Sequence, residues 1–201
     1  MNQYEEIQQT ILGAEGASVW RYDPGAILFW QGDLCRAVAY VASGSIAIKS
    51  SSPDGRELTI QEVGCGDFFG DVLTFAGEHH YLGNVVANEP TLICFLAPDA
   101  FLALLTASRP LLAAYLAALS RKTFQIKQQV KLLSLPDLRS KILFYLGQYL
   151  GPLPAGPVPI PGSKERLASL LCVERPSLSR ELAHMKKEGI IDYSRTHIIL
   201  K

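Results

Sequence analysis

Residues 163–191 read SKERLASLLCVERPSLSRELAHMKKEGII, and the rest of the chain is best understood outward from this stretch. Ser163 stands before KERLASLL as a helix N-cap, a place where a hydroxyl satisfies an orphan backbone N–H. A tight turn at Cys172-Val173 follows, and Glu174-Arg175-Pro176 opens a second helix that Gly189 closes. Proline in the first turn and glycine just past the end are the expected punctuation. A helix of about eight residues, a short turn and a helix of about fourteen make the helix-turn-helix plan. Leu167, Leu170, Leu171, Leu178, Leu182 and Met185 fall where the two helices pack together.

The remaining face of the second helix carries Arg175, Ser177, Ser179, Arg180 and Lys186. N-terminal residues of such a helix reach base edges. Arginine can donate two hydrogen bonds to guanine O6 and N7. Arg175 and Arg180 are therefore assigned to bases, Ser177 and Ser179 to a base or phosphate, and Ser163 and Lys164 to the phosphate backbone, with Lys186 on the same face. The plainer reading is that the arginines form surface ion pairs, with Glu181 or Glu174 as partners. The tail GIIDYSRTHIILK alternates around Ser194-Arg195 and reads as a β-hairpin wing, with Arg195 at its tip against a phosphate.

Upstream, GPLPAGPVPIPGS holds five prolines in thirteen residues, which excludes a regular helix and leaves a loop with an edge strand at VPIP. Leu135-Pro136-Asp137 breaks one helix and caps the next, LRSKILFYLGQYL. Before that break, Pro110–Leu133 reads as one long helix without internal proline or glycine. Its positions Leu112, Leu116, Leu119, Thr123, Ile126, Val130 and Leu133 are spaced alternately four and three apart, the repeat of a helix-pairing seam. Its flanks are basic and polar (Arg121, Lys122, Gln125, Lys127, Gln128, Lys131), which favours a seam between two copies over a helix buried in its own core.

The front of the chain has a different period. VWRY, AILFW, AVAYVASGSIAIKS, ELTIQEV, YLGNVVA and TLICFL are short runs rich in β-branched and aromatic residues, separated by turn signals with no helices between them. That pattern implies an antiparallel sandwich or barrel. The segment SPDGRE reads as a hairpin turn, and residues 98–108 as a short helix begun by Pro98. The fold class is α+β: a jelly-roll-like antiparallel β-roll over 1–108, a dimerisation helix over 109–135 and a winged helix-turn-helix over 136–201.

Charge follows the same division. Residues 1–108 carry four basic side chains (Arg21, Arg36, Lys49, Arg56) against 13 acidic ones; residues 109–136 carry five basic and none acidic; residues 137–201 carry ten basic and six acidic. A basic back half suits a polyanionic partner. The N-terminus, MNQYEEIQQTILG, lacks the basic and apolar regions of a signal peptide. No run approaches a membrane span, so no membrane partner is expected. Cys35, Cys65, Cys94 and Cys172 form no C-x-x-C pair, as expected of a reduced cytoplasm. A β-roll enzyme of the cupin kind needs several His and Glu ligands on its strands. The front half offers only the adjacent His79 and His80, which on a strand would point to opposite faces, so catalysis is not expected.

The motifs PGAILFWQGD, YVASGSIAI and GCGDFFGD, followed by RLASLLCVERPSLSRELAHMKKEGII, resemble in order and spacing the Crp/Fnr superfamily of bacterial transcription regulators, from about Val19 to Leu200. Gly25, Gly32, Gly44, Gly66 and Gly70 look like the glycines at the corners of that family's β-roll. The resemblance implies a homodimer paired along the long helix and a palindromic duplex read in successive major grooves. It also implies an effector in the β-roll and RNA polymerase as a further partner.

The chain departs from the family in several places. Where cyclic-nucleotide binders carry Gly-Glu and, about ten residues on, Arg-Ser or Arg-Thr, this chain has Gly70-Asp71 and Tyr81-Leu82. No Lys or Arg lies between Arg56 and Arg109, and a buried phosphate needs a cation or many donors. Cyclic AMP is therefore not the expected effector, and Gly70, Asp71, Tyr81 and Leu82 only mark where a pocket would fall. No cysteine precedes Cys35, which argues against an iron–sulfur cluster of the family's oxygen-sensing type. The family includes haem-dependent gas sensors, so His79 and His80 stand as candidate axial ligands, with a solvated GEHHY turn as the plainer reading. Cys35 and Cys65 are candidate thiol switches, although no basic residue adjoins Cys65. Pro176 replaces a common glutamate of the family, and Cys172 a common glycine of the turn. A front domain that has lost its ligand and serves only dimerisation is the other reading.

Overall fold

The computed structural model describes residues 3–51, 57–150 and 156–201. Contacts divide the chain into two compact units, residues 1–119 and 120–201, with the boundary inside the long helix.

In the first unit, the β-rich runs form two four-stranded antiparallel sheets. One has the order β1 (Ser18–Tyr22), β8 (Thr91–Leu96), β3 (Val38–Ser43), β6 (Phe68–Phe69); the other β2 (Ile27–Phe29), β7 (Asn84–Ala87), β4 (Ser45–Ser51), β5 (Glu57–Gly64). β3 explains why the sheets need cover on both sides. Alternate side chains of a strand face opposite ways. Ala39 and Val41 join Ile46, Val63, Phe69, Val85 and Ile93 inside the roll. Val38, Tyr40 and Ala42 face outward and are covered by helices through Ile11, Phe101, Leu105 and Leu111.

Those covering residues come from α1 (Gln3–Leu12), α3 (Pro98–Ala107) and the start of α4 (Arg109–Leu133). The Gln8 amide of α1 donates to Ala42 O at 3.0 Å, and Cys94 Sγ to Ile11 O at 3.6 Å. Gly25, Gly32, Gly44, Gly66 and Gly70 all take positive φ, between 75° and 89°, at corners of the roll. The expected hairpin turn SPDGRE falls largely outside the described residues, although β4 and β5 pair on either side of it, Ser51 opposite Glu57.

One expectation is overturned. The strands do have a helix among them: α2 (Asp71–Ala76) stands between β6 and β7. Gly70 and Gly77, both in the left-handed region, bound it so tightly that six residues suffice, too few for a visible period.

The second unit gathers Leu132, Ile142, Leu146, Leu167, Leu171, Leu178, Leu182, Met185, Ile191 and Ile198 into one core. They come from the end of α4, α5 (Leu138–Leu150), α6 (Lys164–Leu170), α7 (Arg175–Lys187) and a small antiparallel sheet in the order β10 (Ile191–Tyr193), β11 (His197–Leu200), β9 (Val158–Pro159). Asp137 caps α5, its carboxylate accepting from Ser140 N at 2.7 Å. Among the described residues no single helix is long and apolar enough to cross a membrane.

Candidate nucleic-acid interface

α6 and α7 form the expected pair. Ser163 Oγ accepts from Arg166 N at 3.2 Å and starts α6. The turn needs a left-handed residue, and Cys172 supplies it at φ 53°, a conformation glycine adopts at less cost. Pro176 lies in the first turn of α7, and Gly189 follows its end at φ 77°. Leu178, Leu182 and Met185 are fully buried along one stripe of α7, as are Leu167 and Leu171 opposite. Leu170 is a correction: it is 42% exposed and lines an open groove with Phe124, Gln129, Leu132 and Phe144 instead of joining the two helices.

Burying that stripe turns the other face of α7 to solvent. Arg180 is exposed. Its guanidinium donates only weakly, to Pro176 O and Ser177 Oγ at 3.4 Å each, and no carboxylate pairs with it among the described residues. Ser177 and Ser179 are half-buried beside it.

Other predicted contacts already have partners within the protein. Arg175 Nε pairs with Glu165 Oε1 at 2.9 Å. Lys186 Nζ pairs with Asp192 Oδ1 at 2.6 Å. Lys164 and Lys186 both lie over the Tyr193 ring, at 4.6 and 5.4 Å, joining α6 and α7 to the wing. The plainer reading of surface ion pairs thus describes Arg175, with Glu165 in place of Glu174 or Glu181, and not Arg180. Glu181 turns instead to Arg139 of α5. The wing is present as β10 and β11, with Arg195 exposed in a tip that Ser194 braces by accepting from Thr196 N and His197 N at 3.2 and 3.1 Å.

Glu165, Arg139 and Asp192 were not among the expected site residues. Each acts across elements, and no sequence spacing announces that. Arg139 Nε meets Glu181 Oε1 at 2.9 Å, and its Nη1 meets Glu188 Oε2 at 2.8 Å. Arg139 Nη2 also reaches His184 Nδ1 at 3.1 Å. Hydrogen bonds from Arg139 hold the Glu188 carboxyl below its ordinary range, and those from Lys186 do the same for Asp192.

Along α4, Leu116, Ile126, Val130 and Leu133 are between 51% and 65% exposed, and Thr123 is exposed too. Leu119 is half-buried. Leu112 departs from the expected seam: it packs against the β-roll core beside Leu111 and Tyr115.

Of the four residues marking the expected effector position, three lie together and Leu82 stands apart: the Tyr81 hydroxyl is 3.6 Å from where a Cβ of Gly70 would stand, and Asp71 follows Gly70 in the chain. Asp71 is buried and accepts from Tyr115 OH at 3.2 Å. Burial, and then Asp71, raise the Tyr115 phenol well above its ordinary value. Tyr81 is buried, stacked on Phe29 with ring centroids 4.5 Å apart. Burial and a hydrogen bond with Cys35 hold its phenol protonated. Gly70 lies against Cys35 and Ala37, whereas Leu82 is 66% exposed. Residues 57–108 contain no Lys or Arg.

His79 and His80 are both exposed, and no group of three His, Cys, Asp or Glu side chains suited to a metal occurs among the described residues. Cys65 is exposed and donates to Ala42 O at 3.2 Å. Cys35 is buried, 3.5 Å from both Ala37 O and Gly70 O.

A β-roll followed by a long helix and a winged helix-turn-helix defines the class of DNA-binding regulators with a separate β-roll domain. Residues 19–108 match the model of the cyclic nucleotide-binding domain, and residues 112–201 that of the Crp-like helix-turn-helix domain. The cyclic AMP receptor protein of Thermus thermophilus is 31% identical over 175 residues, 85% of this chain and 77% of that one. The fold is shared with the c-di-GMP responsive global regulator CLP of Xanthomonas campestris (TM-score 0.62, 21% identity, 98% of each chain). It is shared also with CprK complexed with OCPA (TM-score 0.69, 18% identity, 100% of this chain and 91% of that one). The chain belongs to the Crp/Fnr family of bacterial transcription regulators.

Proposed function

We propose that the chain is a homodimer that reads a palindromic duplex through α7, with the seam of α4 pairing two copies. The observation that carries this reading is Arg180: exposed, without a carboxylate partner among the described residues, on a helix whose opposite stripe is fully buried. A guanidinium so placed suits guanine O6 and N7. Ser177 and Ser179 lie beside it, and Arg195 of the wing reaches a phosphate. Arg175, Lys164, Lys186 and Ser163 join the interface after giving up or sharing the partners they hold in the free protein. The protein acts in the cytoplasm, with RNA polymerase as its further partner, and by binding rather than catalysis.

The test begins with selection of preferred duplexes from a random pool. Arg180→Ala should then weaken the selected duplex by about 10- to 100-fold while hardly changing a random one. An equal loss on both would remove the base-reading role.

The effector is a molecule other than cyclic AMP. The compared proteins answer by name to different ligands (cyclic AMP, c-di-GMP and OCPA), so membership of the family leaves the ligand open. A second reading is a β-roll that senses nothing and only supports the dimer. The Phe29–Tyr81 stack and the Gly70–Cys35 contact favour it, because side chains of the roll itself occupy the place where the phosphate site is expected. A haem or redox sensor built on His79, His80 or a cysteine has no comparable support.

A further inference from the structure

We infer that Glu165 is a specificity-determining residue: a carboxylate on the duplex-facing surface that holds Arg175 and penalises every sequence that does not offer Arg175 a guanine. This rests on the reading of α7 as the base-reading helix. Glu165 sits in the first turn of α6 and Arg175 begins α7, so their 2.9 Å pair bridges the two helices at the surface. Both side chains are open to solvent, 58% and 62% exposed. The carboxylate is fixed from its own side as well. Its backbone N–H and the Ser163 hydroxyl bond to it, and with a weaker pull from Arg175 they hold its pKa below the ordinary range. Nearby acids are otherwise engaged: Glu181 and Glu188 with Arg139, and Asp192 with Lys186. Glu174, exposed just before α7, makes no capping bond.

A fixed carboxylate facing a polyanion is repelled at every sequence. A compensated Arg175 also releases fewer counterions, and counterion release is what drives sequence-independent binding. Exposed ion pairs are weak, so Arg175 can exchange its partner for a base. Only a guanine in the right register repays the exchange with two directed hydrogen bonds. The repulsion is common to all sequences and cancels in their ratio; the ratio widens because an Arg175 held by Glu165 forgoes its phosphate contact on other sequences and keeps its base contact on the right one.

The test is Glu165→Gln in the full chain, measured against the duplex selected by the unmodified protein and against a scrambled duplex over a range of salt. Affinity for the scrambled duplex should rise about 5-fold near 0.1 M salt, and its log–log salt slope should steepen by about 0.9, the worth of one phosphate. Affinity for the selected duplex should rise less, so the ratio falls. Glu165→Ala should move both readouts the same way, which guards against a folding defect peculiar to one variant. Unchanged scrambled-duplex affinity and slope would overturn the inference. So would loss of the selected duplex alone, which would make Glu165 itself a base reader. A protein with no preference for any duplex fails at the selection step, which takes down the underlying reading before the variant is made.

Discussion

Gly70 sets how close the β-roll can pack around the expected effector position. At φ 75° it occupies the left-handed region, and a Cβ there would stand 2.7 Å from Ala37 O and 3.1 Å from Cys35 Sγ. The backbone carbonyl cannot swing away as a flexible side chain would. Gly70→Ala should destabilise the protein by about 2–4 kcal/mol, left-handed strain and overpacking together. Urea unfolding at neutral pH measures it, and a loss under 1 kcal/mol would mean that the corner relaxes. Residues of this kind were legible, because a turn leaves its mark in composition: the five corner glycines and the Gly189 stop sit where the sequence places them. Ion-pair partners were not. Arg175 turns to Glu165 and Lys186 to Asp192 because of how two helices and a wing come together, which no local spacing encodes.

At the scale of elements, long periodic segments were read well and short ones were missed. β3 and β8 announce themselves as unbroken apolar runs because both of their faces are covered. α4 and α7 are long enough to display a period. β6 has two residues and α2 six, below the length at which any repeat can be seen. α1 hides in a polar start, where Ile7, Ile11 and Leu12 are its only signal. Leu170 faces solvent against expectation, because a seven-residue helix gives little basis for choosing its faces.

The fastening of α7 to α5 also belongs to this scale. Glu188 ends α7 and Arg139 belongs to the first turn of α5, so their pair fixes α7 against α5. Because folding lowers the pKa of Glu188, the pair stabilises the folded state above the ordinary glutamate value, and that contribution is lost as pH falls through the lowered one. Arg139→Met should therefore be less stable than the unmodified protein at neutral pH, with the difference shrinking as pH drops below the ordinary glutamate value. Urea midpoints across that range test it. A difference that stays constant with pH would assign the loss to packing of the Arg139 stem instead.

At the scale of the whole molecule, the decisive feature is an apolar row that one chain leaves uncovered. Leu116, Ile126, Val130 and Leu133 follow the 3.5-residue repeat and are each at least half exposed. Isolated exposed leucines are ordinary, but a row at helical-pairing spacing over more than two heptads is costly to leave in water. The repeat was visible in the sequence. That Leu112 serves the β-roll core was not, since a period cannot tell a partner helix from the chain's own strands. The row should therefore lose its pairing when a charge is placed within it. In the proposed dimer, Leu116→Glu and Ile126→Glu each set two carboxylates against one another across the seam, where neither can be solvated fully. Both variants should sediment as monomers at about micromolar concentration, whereas Gln125→Glu, on the outward side of the repeat, should remain dimeric. A monomer carries one recognition helix, so its affinity for the selected palindrome should fall to that for a half-site, because the second contact is no longer intramolecular. If Ile126→Glu sediments as a dimer and keeps full affinity for the palindrome, the two copies meet somewhere other than α4.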